Sequence, residues 1–379
     1  MSFFYFDNAA TTRVKDDVLK EMMPFFSVEY GNPSSIYALG REARRAVDMS
    51  RQRVASLIGA EKKEIYFTSG GSESDNLALK GIAIALKDRG NHIITSKIEH
   101  PAILESCKYL EKFGFEVTYL NVDSEGKIMF NELIQSISDK TILISVMFAN
   151  NEIGTIQEVK KISKIAHSKN IIFHTDAVQA IGNVKIDVNE IGIDMLSMSS
   201  HKIYGPKGVG ALYVRKEIDF EKIINGGHQE KDKRAGTENV AGIVGFGKAC
   251  ELARFDLENH IDKIQKLRDY YLDEVKNNID EIKINGSLDN RLPGNANISF
   301  EGINGMDLIL ELDNKGICAS SGSACSSGSG APSHVLTAIG LDKQLAKSAL
   351  RVSLGEFNTK EDVDYLVKCL RESISLLRK

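Results

Sequence analysis

Residues 64–122 read EIYFTSGGSESDNLALKGIAIALKDRGNHIITSKIEHPAILESCKYLEKFGFEVTYLNV, and their rhythm decides the fold. Short runs rich in β-branched residues (EIYF, HIITS, EVTYL) are separated by helical stretches. Strand alternating with helix is the pattern of βαβ units and a parallel sheet. The rhythm continues through TILISVMFAN (141–150), EVKKISKIAHSKN (158–170), IIFHTDA (171–177), DMLSMSS (194–200) and GALYVR (210–215). An α/β fold is implied, with a mostly parallel seven-stranded sheet covered by helices on both faces. Between the last two strands lies only HKIYGPKGV (201–209). That link is too short and too rich in Gly and Pro for a helical crossover, so the last strand is expected to run antiparallel.

Upstream, MSFFYFDNAATT (1–12) has neither the basic start nor the apolar length of a signal peptide and reads as a first strand. Downstream, residues 237–279 form a long helical stretch. A smaller α+β unit follows, with strand-like NANISF (295–300) and LILELDNKGICAS (308–320) and the Gly/Ser-rich stretch SSGSACSSGSGAPS (320–333), read as a flexible loop. A last amphipathic helix carries Val363, Leu366, Val367, Leu370 and Ile374 on one face. The expected division is a large domain over 16–255 and a small one made of 1–15 and 256–379.

Composition narrows the function classes. Hydrophobic residues make up 42% of the 379 and charged residues 26%, ordinary globular usage that excludes disordered and fibrous classes. A formal charge of −4 gives no field to draw nucleic acid or anionic lipid, and no apolar run approaches a membrane span. A small-molecule substrate fits better. Five scattered cysteines without a CxxC pair argue against a disulfide framework or structural zinc and suit a reducing cytoplasm.

In open α/β sheets, ligands bind beyond the carboxyl ends of the strands. EIYF ends in TSGGSESDN, where Gly70, Gly71 and Ser72 open a helix whose amides can cup a phosphate; an ordinary capping box reads equally well. The next strand ends at His100 before Pro101. That imidazole could stack on an aromatic cofactor and move protons, or simply hold the turn. Asp176 ends an apolar strand, where its carboxylate needs either a permanent cation, such as a protonated pyridine nitrogen, or a capping role. Lys202 follows DMLSMSS at another strand end, a place for a Schiff-base lysine. Together these four supply each part that pyridoxal phosphate (PLP) requires. Among the cysteines, Cys107, Cys250, Cys318 and Cys369 read as packing residues. Cys325, set among Ser and Gly, reads either as a nucleophile or as an unremarkable loop thiol.

The chain resembles the NifS/IscS-type cysteine desulfurases, class V members of the fold-type-I PLP enzymes, along its whole length. The resemblance is carried in order by YFDNAATT (5–12), YGNPSS (30–35), TSGGSESDN (68–76), EHPAIL (99–104), NNEIGTIQ (150–157), HTDAVQAIG (174–182), SSHKIYGPKGVGALYVR (199–215), RAGTENV (234–240), SSGSACSSG (320–328), PSHVL (332–336) and LRVSLGEFN (350–358). It implies that Lys202 holds PLP as an imine, Asp176 pairs with the ring nitrogen, Gln179 bonds the ring hydroxyl and His100 stacks on the ring. Gly71, Ser72, Ser199 and His201 would hold the phosphate, with Thr237 reaching in from the other subunit of a homodimer. Asn151 would contact cofactor and substrate, and Arg351 would take the substrate carboxylate. From its residue type alone, Arg351 reads as a solvated charge at a helix edge.

Cys325 would accept sulfur from L-cysteine as a persulfide, leaving alanine, and would serve as a transient iron–sulfur ligand during transfer. The sulfur acceptor would be an iron–sulfur scaffold or a tRNA-thiolation enzyme. An aminotransferase or selenocysteine lyase of the same fold is the alternative. A non-enzymatic nucleotide- or metal-binding scaffold finds no Walker A, GxGxxG or metal-ligand spacing here.

Overall fold

The computed structural model describes residues 3–321 and 332–378. Seven strands form one sheet in the order Ile65–Thr68, Gly210–Val214, Met195–Ser199, Ile172–Asp176, Thr141–Ser145, His92–Ser96, Glu116–Leu120. All neighbours pair in parallel except Gly210–Val214, which runs antiparallel to both Met195–Ser199 and Ile65–Thr68. The reversed strand and its short connection are as the sequence predicts.

Successive residues of each strand enter different cores, the two-residue period of a sheet buried on both faces. Ile144, Phe173, Leu196 and Ala211 pack with the helices Ala38–Leu57, Val159–Ser168 and the first turns of Val240–Asn278. Their neighbours Leu143, Ile172, Met195 and Leu212 pack on the other face with Gly71–Ala85 and Pro101–Glu111. Each buried Val, Leu, Ile or Phe contributes about 1.5–3 kcal/mol relative to exposure, so both faces hold the sheet rigid beneath its strand ends.

The antiparallel strand also brings two backbones together beside the site. A Cβ at Gly210 would lie 2.6 Å from Met198 O and 2.7 Å from Gly70 Cα. Gly210→Ala is therefore expected to destabilise the fold by about 1–3 kcal/mol, the usual cost of overpacking. Urea unfolding checks this, and an unchanged midpoint would mean that the contact is slack.

A third core gathers Phe6 with residues of 264–374, around the antiparallel strands Ile282–Ile284, Asn295–Phe300 and Ala349–Ser353. Val363, Leu366, Val367, Leu370 and Ile374 of the last helix, Lys360–Leu377, are all buried in it, as their spacing predicts. Three expectations are corrected. LILELDN is not a strand but most of the helix Gly305–Asn314, started by Asn304, whose side chain accepts from Met306 N; Leu308 and Leu312, four apart, face the core. Arg351 stands in the strand Ala349–Ser353 and is 2% exposed, because it pairs with Asn297 across the sheet and is covered from the N-terminus. Cys318 is only half-buried, in the edge pair Phe4–Tyr5 with Ile317–Cys318, whereas Cys107, Cys250 and Cys369 are buried. Among the described residues no helix is long and apolar enough to cross a membrane.

Candidate active site

The carboxyl ends of the parallel strands and the small antiparallel sheet enclose a cavity of about 340 Å³. Gly71, Ser72, His100, Asn151 and Asp176 line it, as do Gln179, Ser199, His201, Lys202 and Arg351. Residues spread over 280 positions thus meet at one place. Thr237 is exposed, in the link before the helix Val240–Asn278, and does not line this cavity. Cys325 lies outside the described residues.

Lys202 comes to the cavity because Met195–Ser199 ends in a single 3-10 turn, Ser200–Lys202. Its Nζ donates to Ala10 O at 2.7 Å and to Ala9 O. Gln179 Nε2 donates to the same Ala9 carbonyl at 2.9 Å, so the DNAATT segment floors the pocket. Asp176 ends its strand fully within the protein. Its Oδ1 accepts from Val178 N at 2.9 Å; desolvation pushes its pKa up, and His100, the Val178 amide and Lys202 pull it back.

His100 caps the helix Pro101–Glu111, with Pro101 at the first helical position. Its Nδ1 accepts from Ala102 N at 3.1 Å, which leaves the ring proton on Nε2. Burial lowers its pKa, so the ring is neutral at physiological pH. Likewise burial first, then Lys202 and Lys207, lowers His201 to about 4, and its Nδ1 meets Thr11 Oγ1 at 3.2 Å.

On the opposite wall, Arg351 Nη1 donates to Asn151 O at 3.1 Å, and Nη2 pairs with Asp7 Oδ1 at 2.7 Å. A buried guanidinium so held is preorganised to receive a carboxylate. Asp7, Asp75, Glu99, Glu152 and His334 belong to this neighbourhood and escape a reading by residue type. Glu152 is buried and accepts from Ser333 Oγ at 2.5 Å, while His334 Nε2 meets Glu99 O at 3.0 Å. Glu99 had one local signal, its place directly before His100 at a strand end.

The pocket fits PLP. The helix Gly71–Ala85 turns its free N-terminal amides to one end, and a Cβ at Gly71 would strike Val178 Cγ2 at 2.7 Å, so only glycine keeps that cradle open. Asp176 offers a buried carboxylate for which a protonated ring nitrogen is the natural partner, and Lys202 offers an amine.

This chain belongs to the aminotransferase class-V family, whose model matches residues 4–366. It is 54% identical over 377 residues to "Cysteine desulfurase IscS" of Clostridium botulinum, covering 99% of this chain and 95% of the relative. It is 52% identical over 374 residues to "Cysteine desulfurase IscS" of Methanosarcina thermophila, covering 99% and 92%. Among solved structures, a "NIFS-like protein" superposes with a TM-score of 0.94 at 41% identity, covering 99% of this chain and all of that one. "SspA in complex with cysteine" superposes with a TM-score of 0.83 at 39% identity, covering 94% and 99%.

Proposed function

We propose that this chain is a PLP-dependent cysteine desulfurase that moves the sulfur of L-cysteine onto Cys325 and releases L-alanine. The observation that carries the reading is the convergence of Lys202, Asp176, His100 and Arg351 on one cavity, in a chain 54% identical to a cysteine desulfurase. When bound, PLP supplies an electron sink for the charge left on the substrate's α-carbon.

The protein's own residues supply the rest. Arg351 takes the substrate carboxylate and so fixes which bond faces the reacting centre. Lys202 would hold PLP covalently, and its amine, once free, takes the α-proton and later returns one to the product. Asp176 would hold the ring nitrogen in its protonated form, and the neutral His100 would stand against the ring. The Cys325 thiolate attacks the substrate sulfur; as the C–S bond breaks, the carbon fragment leaves and the persulfide stays on the protein.

Two described anchors flank the segment that contains Cys325. Ser320 exchanges backbone hydrogen bonds with Arg351, and Ser333 is held by buried Glu152. Arg351 and Glu152 both line the cavity.

Arg351→Lys is expected to raise KM for cysteine by about ten- to a hundredfold with a smaller change in kcat, because a point charge cannot reproduce a bidentate pair. Steady-state kinetics would read this, and an unchanged KM would remove Arg351 from carboxylate recognition.

The functional unit is a homodimer. Leu19, Met23, Phe26, Val28, Tyr30, Ile36 and Tyr37 are all exposed within one short stretch, Ile36 to 89%. A soluble monomer rarely leaves so much apolar surface bare, and exposed Thr237 is then free to complete the partner's phosphate site. The two sheet systems with separate cores support a division into 16–255 and 1–15 with 256–379. Delivery to an iron–sulfur scaffold or a tRNA-thiolation enzyme, with Cys325 as transient cluster ligand, follows from the persulfide, and a reducing cytoplasm suits its chemistry. The deciding experiment incubates purified protein with PLP, L-cysteine and a thiol reductant. Alanine and sulfide in equal amounts support the reading, and pyruvate or a keto acid without sulfide overturns it.

A further inference from the structure

The cavity wall holds more acid than one ring nitrogen needs. Asp75, Glu99 and Asp176 line it together, and each is buried. They come from three elements: the helix behind the phosphate cradle, the turn after His92–Ser96, and the end of Ile172–Asp176. Asp176 faces Ser197 across the sheet, and the Ser197 hydroxyl meets His174 Nε2, which stands 3.9 Å from Asp75 Oδ1. We propose that Asp75 and Glu99 stand beside Asp176 as neutral carboxylic acids, so that Asp176 alone offers a negative charge to the cofactor's ring nitrogen. This rests on the PLP reading above and assigns two positioning residues to the same site.

The surroundings of Asp75 exclude an ionised group. Its Oδ1 has no hydrogen-bond partner, and the nearest ring nitrogen, His174 Nε2, is 3.9 Å away. That histidine carries no charge: it is clamped between Ser145 Oγ at 2.9 Å and Ser197 Oγ at 3.0 Å, and burial drops its pKa to about 3. A carboxylate with one bare oxygen and no cation beside it is heavily penalised in a dry interior. Burial, with Asp176 next in weight, raises Asp75 well above the usual range.

Glu99 takes Ser96 Oγ at 2.6 Å on Oε1 and the Met147 amide on both oxygens, at 3.0 and 3.1 Å. These are neutral donors. The titratable groups that face it are Asp176, Asp75, His334 through the backbone carbonyl, and Cys107 from the next helix, whose thiol burial lifts to about 12. Burial raises Glu99 to about 8, against the pull of Ser96 and Met147. Asp176 is the member that accepts from the Val178 amide and has Lys202 beside it, so the single charge settles there. Ionising the other two would set like charges together and tighten the ring nitrogen's hold on its proton beyond what one carboxylate gives.

The sign for stability follows. A carboxyl whose folded pKa is raised leaves stability whole below its ordinary value of 4.5 and withdraws it progressively as pH climbs from there to about 8. The test uses PLP-loaded wild type, Glu99→Gln, Asp75→Asn and Asp176→Asn, and infrared spectra at neutral pH that read the carbonyl stretch of protonated carboxyls. Glu99→Gln and Asp75→Asn are each expected to lose part of that band, and Asp176→Asn none of it. In wild type, raising the pH should remove the Glu99 share with a midpoint near 8, which keeps the test alive if a variant fails to fold. The urea midpoint should fall as pH rises from about 4.5 to about 8 and flatten above it, less steeply in Glu99→Gln. A band unchanged by either substitution overturns the assignment for that residue. A protein that binds no PLP at Lys202 overturns the functional reading instead, and the infrared band still reports on Asp75 and Glu99.

Discussion

Lys202→Ala is expected to lower the turnover of L-cysteine by about 10³-fold or more, since one well-placed proton-transfer group supplies about 10² to 10⁴ and this residue is also the covalent anchor. Its Nζ already sits at the cavity floor, on the carbonyls of Ala9 and Ala10. Two measurements check the expectation. Reductive trapping followed by mass spectrometry should label the peptide that contains Lys202 in wild type and nothing in the variant. Small primary amines added to the variant should restore part of the rate, because the missing group is an amine and the pocket around it is intact. A variant within tenfold of wild type, or a label on another lysine, would place the chemistry elsewhere.

Cys325→Ala should separate the two halves of the reaction. The variant is expected to bind PLP and L-cysteine and keep the yellow colour of the bound cofactor, while sulfide release falls by about 10³-fold or more, as for loss of a nucleophile from a covalent mechanism. An aminotransferase needs no such thiol and would be unaffected. Treatment of wild type with cysteine, without reductant, should add one sulfur atom to the Cys325 peptide. The other four cysteines should stay unmodified: Cys107 and Cys250 are buried with raised pKa values, Cys369 is buried, and Cys318 is half-covered with its thiol also pushed up by burial. Persulfide on any of them would refute the assignment.

The sheet was legible because its signal is local. Leu143 and Ile144, or Met195 and Leu196, turn to opposite cores simply by the pleat of a strand, and nine residues between Ser200 and Gly210 leave no room for a crossover helix. The helix at LILELDN is not legible for the complementary reason: a short apolar run has no decisive period, and the cap at Asn304 lies outside it. Arg351 shows the limit most clearly. Nothing near it in the chain distinguishes it from a solvated charge, yet Asp7, 344 positions away, and the carbonyl of Asn151 hold it inside the cavity.

From its order of residues the chain determines the strands, the turn that delivers Lys202, and the kinds of side chain that stand at each strand end. Only the folded interior decides the surroundings of those side chains: that burial lowers His201 to about 4, that Asp75, Glu99 and Asp176 are buried on one cavity wall, and that Arg351 is held inside the cavity. The reason is that protonation and pairing depend on desolvation and on distances of a few ångströms between elements remote in sequence, and neither exists until the chain has folded.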